Sequence, residues 1–216
     1  MLSAAQISEI AETADRIGWV NGDVSAGGSA AEVKKNQQLP ADHEDTRRLG
    51  QSVIAALNHK REFATTAFPK RACPPTFNRY ESGMAYGNHV DAAIMPLSNL
   101  LRTDVAFTLF LSDPATYDGG ELVIRMVGGE TPIKLPAGSA VCYPPYFVHR
   151  VQPVTRGVRI AAIGWVESLI SNADQRAVLN DLSVATANLQ RNASGSDELT
   201  RVNNVFQTLL RMWADT

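Results

Sequence analysis

The sequence predicts a mainly β fold, a jelly roll or β-sandwich, with helices on both flanks. From Pro74 to Glu167 the chain is cut into short β-type runs by Gly, Pro, Asn and Asp, with "SDPATYDGG" and "LPAGS" as turn signals. On either side of this region apolar residues recur at helical spacing instead. With 216 residues the chain is long enough for one domain and an appendage.

The elements follow in order. Ile7, Ile10, Ala14 and Ile17 make an amphipathic helix over 3–17, and Ser3 with Gln6 has the form of a capping box. Leu49, Val53, Ala56 and Leu57 share one side of a second helix near 43–59. Strands are predicted near 75–81, 88–94, 104–112, 120–127, 131–135, 139–143, 147–153 and 158–167. After Ser168 the helical pattern returns. Val178, Leu182, Ala185 and Leu189 mark one helix, and Leu199, Val202, Phe206, Leu209 and Trp213 the apolar stripe of another. Ser196 is its N-cap, and Asp197 and Glu198 suit its positive end. The organisation expected is a domain over 1–168, with its core at about 74–168, and a helical extension over 169–216. That extension could pack on the sheet or join two copies in a homodimer.

The bulk numbers narrow the classes without excluding a local basic groove. A net charge of −2 carries no nucleic-acid footprint. No run approaches the roughly 18 apolar residues of a membrane span. The opening "MLSAAQISEIAETADRIG" lacks the basic and apolar blocks of a signal peptide. Two cysteines, Cys73 and Cys142, make no disulfide framework and fit a reduced, cytoplasmic chain.

Within the β region, "YESGMAYGNHVDAAIM" places His89 two residues before Asp91. In a strand, i and i+2 point to one face, so an imidazole and a carboxylate would stand side by side. Alone, such a pair is ordinary surface chemistry. The only other histidine of the region is His149, at the start of a predicted strand, whereas His43 and His59 sit among charges and read as solvent-facing. Two neutral imidazoles and a carboxylate leave three coordination positions open, the arrangement of non-haem Fe(II) that activates O₂. Arg159 follows His149 by ten residues on the next strand. A buried arginine needs an anion, and its fork matches a carboxylate. Arg159, Ala161, Ile163 and Trp165 share one strand face, which would line a pocket for a small dicarboxylate. Arg156, in "TRG", reads as an exposed turn. Tyr80 is the expected co-substrate contact and Tyr86 the residue that shapes the metal pocket; plain core packing is the competing reading for both.

Four long blocks then carry a resemblance: "FNRYESGMAYGNHVDAAI", "RTDVAFTLFLSDPATYDGGELVI", "LPAGSAVCYPPYFVHRVQPVTRGVRIAAIGWVESLI" and "FQTLLRMWAD", with "NGDVSAGGSAAEVKKNQQL" also fitting. From about residue 17 to the end the chain resembles the bacterial PKHD-type hydroxylases, Fe(II)- and 2-oxoglutarate-dependent dioxygenases related to prolyl 4-hydroxylases. The resemblance implies a double-stranded β-helix core, His89, Asp91 and His149 as iron ligands, and Arg159 as the 2-oxoglutarate anchor. It also implies O₂ as oxidant, ascorbate as a helper that keeps iron reduced, and iron uptake as a context. Family members often carry a short leading segment where this chain starts at the first helix.

The reaction expected is hydroxylation of a prolyl residue in a protein or peptide, or of a small molecule, with release of succinate and CO₂. The stretch "AAIMPLSNLLRTD", 92–104, is the expected substrate-covering loop. A related halogenase would need Asp91's ligand position open for halide. A nucleic-acid demethylase of the same superfamily would typically carry a second arginine six residues past the anchor, where this chain has Trp165. A non-catalytic jelly roll that binds a metal or sugar is the alternative from another class.

Overall fold

The computed structural model describes residues 2–23, 29–96 and 99–216. Residues 24–28 of "NGDVSAGGSAAEVKKNQQL" and residues 97–98 of the expected covering loop lie outside the described residues.

The first element is α1 (Ala4–Ile17), capped as its sequence predicts: Gln6 N donates to Ser3 Oγ at 3.3 Å and Ser3 N to Gln6 Oε1 at 2.9 Å. Then come β1 (Val20–Asn21), α2 (Ser29–Glu32), β2 (Lys34–Lys35), β3 (Gln37–Gln38) and α3 (Glu44–Asn58). The sequence reading places no helix after α3, yet α4 (Arg61–Ala67) follows it. Seven residues carry too little periodicity to be read; burial of Phe63 and Ala67 against the core holds the turn in place. The β region runs through β4 (Pro69–Ala72), β5 (Thr76–Tyr80), β6 (Ala85–His89), β7 (Ile94–Met95), β8 (Leu101–Arg102) and β9 (Val105–Phe110). It continues with β10 (Asp118–Gly119), β11 (Leu122–Met126), β12 (Gly129–Ile133), β13 (Ala140–Tyr143), β14 (His149–Val151), β15 (Val154–Arg156) and β16 (Arg159–Ser168). Two helices close the chain, α5 (Ala173–Asn192) and α6 (Asp197–Trp213).

The strands form two facing antiparallel sheets, the jelly-roll architecture the sequence predicts. The larger has the order β1-β3-β5-β16-β9-β13, with β4 also on β16; the smaller is β12-β11-β14-β6-β2. Two short pairs, β10 with β15 and β7 with β8, complete the pattern. β9 is buried at every position and therefore reads as a continuous apolar run. Its Val105, Phe107 and Leu109, with Phe77, Ala162 and Val166, meet Ile10, Leu49, Val53, Leu57 and Phe63 from the helices. Its Ala106 and Phe110 face the other way and meet Leu122, Ile124 and Tyr143. Helices thus cover one face of the larger sheet, and the smaller sheet covers the other.

Gly164 makes the first of these contacts close. A Cβ there would lie 2.6 Å from Phe107 Cζ. Gly164→Ala should therefore overpack the centre of the sheet and cost about 1–3 kcal/mol, read as a lower urea midpoint at unchanged slope. A wild-type midpoint would show that the ring gives way freely.

The tail packs on the end of the core. Leu199 N donates to Ser196 Oγ at 3.1 Å, the expected N-cap of α6. Leu199, Val202, Phe206, Leu209 and Trp213 do form one stripe, but each is half-buried, with no fully buried residue on α6. Phe206, Leu209 and Trp213 pack against Phe68, Ile170 and Leu179.

Candidate metal centre

Between the sheets lies a cavity of about 830 Å³, and the wall from the larger sheet follows from strand alternation. Thr76 and Tyr80 of β5, and Arg159, Ile163 and Trp165 of β16, point into it from the larger sheet. Tyr86 and His89 of β6 and His149 and Val151 of β14 point into it from the smaller.

Tyr86 and His89 are three residues apart, so a regular strand would send them to opposite faces. A β-bulge prevents this. His149 pairs with His89 and Val151 with Tyr86, so between these pairs two residues of β6 oppose one of β14, and the strand re-aims His89 inward. The Tyr86 ring then stacks on the His89 imidazole with centroids 3.6 Å apart.

The expectation that His89 and Asp91 share one strand over 88–94 is not met. β6 ends at His89, and Asp91 lies in the connection beyond it. Gly87 and Asn88 are poor strand formers, and the pairing that carries the strand to His89 comes from β14, not from local propensity. Asp91 still arrives beside the histidines. Its Oδ1 is 4.0 Å from His89 Nε2 and 3.7 Å from His149 Nε2, and the three side chains form a cluster that could hold a metal ion.

The donor set fits a divalent cation. His89 Nδ1 lies 2.8 Å from Gly87 O and His149 Nδ1 lies 2.9 Å from Phe147 O. A carbonyl only accepts, so both protons sit on Nδ1 and both Nε2 lone pairs face Asp91. Asp91 Oδ2 is buried and has no hydrogen-bond partner. Three acceptors therefore converge, with no hydrogen bond among the three. Burial, then His149, depresses the His89 pKa to about 4, so this imidazole is neutral at pH 7. Burial pushes the Asp91 carboxyl up, opposed by His149 and by the nearby Trp165 indole. A bound cation would reverse that penalty.

Arg159 is 1% exposed, and among the described residues no carboxylate pairs with it. Its Nε has no partner. The guanidinium lies 5.2 Å from the ring of Tyr80, its register partner, and 5.5 Å from that of Phe110. Gly120 backs its stem, where a Cβ would come within 3.0 Å of Arg159 Cδ. A buried, unneutralised guanidinium at the end of a cavity is built to receive an anion.

His43 and His59 are exposed at the ends of α3, as their neighbours suggest. Arg156 is exposed too, but on β15 and paired with Asp118 at 2.7 Å. In the stretch 92–104, β7 pairs with β8, and Ala92, Ile94, Met95 and Pro96 line the cavity.

Sequence reasoning missed Tyr143, edge-on to His149 at 5.1 Å, and Lys34, whose Nζ is 5.4 Å from the Tyr86 ring centre. Alternation with Val141 on β13 could have marked Tyr143. Lys34 sits on a two-residue strand that only tertiary pairing with β6 creates.

Comparison with known proteins decides the family. A PKHD-type hydroxylase of Burkholderia ambifaria is 44% identical over 220 residues, covering all of this chain and 97% of that protein. The chain belongs to the PKHD-type hydroxylases. Residues 75–167 match the 2OG-Fe(II) oxygenase superfamily, so the hydroxylase is a 2-oxoglutarate-dependent dioxygenase with Fe(II) as its metal. The likeness spans the whole chain and does not begin at residue 17. Among solved structures, a Pseudomonas putida prolyl-4-hydroxylase is similar with a TM-score of 0.51 at 21% identity, over 77% of this chain and 88% of its own. A non-haem α-ketoglutarate-dependent epimerase, SnoN from nogalamycin biosynthesis, gives 0.54 at 14% identity, over 78% and 76%. At these identities the likeness is one of fold, and a fold shared by a hydroxylase and an epimerase does not select a substrate.

Proposed function

We propose that His89, Asp91 and His149 hold the Fe(II) of this hydroxylase, and that Arg159 binds the far carboxylate of 2-oxoglutarate with Tyr80 beside it. The observation that carries the reading is the convergence of two Nε2 lone pairs and a partnerless carboxylate oxygen in the same cavity as a buried guanidinium. When bound, the iron supplies activation of O₂ coupled to conversion of 2-oxoglutarate to succinate and CO₂.

The protein's part is position and exclusion of water. The carbonyls of Gly87 and Phe147 fix the two imidazole tautomers and ring orientations. Tyr86, stacked on His89, and Tyr143, against His149, close the sides of the site. Trp165 walls the cavity beside Asp91. Arg159 holds the diacid so that its keto-acid end faces the three ligands. The β7–β8 hairpin, with Ile94, Met95 and Pro96, covers the side open to substrate.

The substrate is a prolyl residue of a protein or peptide, or a small molecule, hydroxylated at carbon; ascorbate keeps the iron reduced between turnovers, and iron uptake is the context we assign. Trp165, in place of a second arginine, disfavours nucleic-acid demethylation. Purified protein with Fe(II) and 2-oxoglutarate should consume O₂ and release succinate. Mass spectrometry should find one added oxygen on a peptide or metabolite from a cell extract, on the peptide fraction if the substrate is prolyl. No O₂ uptake and no succinate, with iron bound, would make the chain a non-catalytic binder.

A further inference from the structure

Asp91 is the one proposed ligand that no strand positions. His89 and His149 are held by paired strands, but the sheet has ended before Asp91. Its own N–H donates to Pro145 O at 3.1 Å. The next two carbonyls are both taken by Thr103: Thr103 Oγ1 donates to Ala92 O at 2.6 Å, and Thr103 N to Ala93 O at 3.0 Å. Thr103 is 7% exposed. The residue after it is fixed from three sides. Ser168 N donates to Asp104 Oδ2 at 2.8 Å, Arg102 Nε to Asp104 Oδ1 at 2.8 Å, and Arg176 of α5 to Asp104 O at 2.9 Å. The same guanidinium donates to Ile170 O at 2.6 Å and Ser171 O at 2.9 Å, which locks it between the tail and the core.

We propose that Thr103 is the positioning residue for the carboxylate ligand: its hydroxyl clamps the backbone one residue past Asp91, and through Asp104 and Arg176 the clamp is anchored to β16 and the tail helix. The inference rests on the iron site proposed above. Without the hydroxyl, Asp91 is tethered by the Pro145 and Thr103 backbone bonds alone. Its side chain can then leave the two Nε2 atoms, and the metal loses its only anionic ligand.

The test uses Co(II), which reports coordination through its visible absorption, titrated without O₂ into wild type, Thr103→Val, Thr103→Ala and Thr103→Ser. Valine removes the hydroxyl at equal bulk and alanine removes it without bulk, so one folded variant suffices. Outer-shell partners of metal ligands are worth about 10–100-fold in affinity, and loss of this one should weaken Co(II) binding about tenfold and alter the absorption band. Serine, which keeps the donor, should restore both. Thermal unfolding of the metal-free proteins runs in parallel. Wild-type affinity and spectrum in the valine and alanine variants would overturn the proposal, even with a lowered melting temperature, because Thr103 would then be merely structural. No Co(II) binding by wild type would remove the metal site itself, and the proposal with it.

Discussion

Arg159→Gln should weaken 2-oxoglutarate binding by about 30-fold to a few thousand-fold while leaving iron in place. The guanidinium is 1% exposed, stands between the Tyr80 and Phe110 rings, and has no carboxylate partner among the described residues. Its proposed partner is the far carboxylate of the co-substrate, desolvated in the same cavity. Truncating one member of a buried charge pair costs about 2–5 kcal/mol, which at about 1.4 kcal/mol per tenfold gives the range stated. Arg159→Lys should recover part of the loss, because it keeps the charge but not the fork. The readout is succinate formation against 2-oxoglutarate concentration, with metal content measured on the same samples. An unchanged 2-oxoglutarate dependence would remove Arg159 from the site. Lost iron with unchanged affinity in the remaining holoprotein would make its role structural.

His149→Ala should abolish stable metal binding. His149 is 4% exposed, and its Nε2 faces Asp91 at 3.7 Å. Removing it leaves one imidazole and one carboxylate, a loss beyond the hundredfold that outer-shell changes reach. His43→Ala and His59→Ala are the controls, since both side chains are exposed at the ends of α3. Metal retained per chain after gel filtration separates the three. Stoichiometric retention in His149→Ala, or loss in either control, contradicts the assignment.

Much of this site was legible because alternation is a strong rule. Of the four residues that share a face in the sequence, Arg159, Ile163 and Trp165 line the cavity, with Tyr80 across from Arg159, whereas Ala161 is fully buried and does not. The long apolar run of β9 and the capped helices α1 and α6 were legible for the same local reasons. Asp91 reaches the histidines by a route that strand alternation does not give. The i, i+2 argument assumed a strand that stops at His89, and a bulge beside Gly87 sets the face of His89 instead. Thr103 was illegible, since its proposed role depends on the chain meeting the backbone of Ala92 again eleven positions later. So were β1, β2 and β3, two residues each, which exist only because a neighbouring strand supplies their hydrogen bonds. What the sequence could not encode locally is where the chain meets itself.

The most direct test of the central claim is a crystal grown without O₂ from protein loaded with Mn(II) and 2-oxoglutarate, with anomalous scattering used to locate the metal. The account predicts one metal per chain, bonded to His89 Nε2, His149 Nε2 and an Asp91 oxygen, with the far carboxylate of the diacid on the Arg159 guanidinium. A metal bound elsewhere, or a diacid whose far carboxylate is held by another residue, would contradict it.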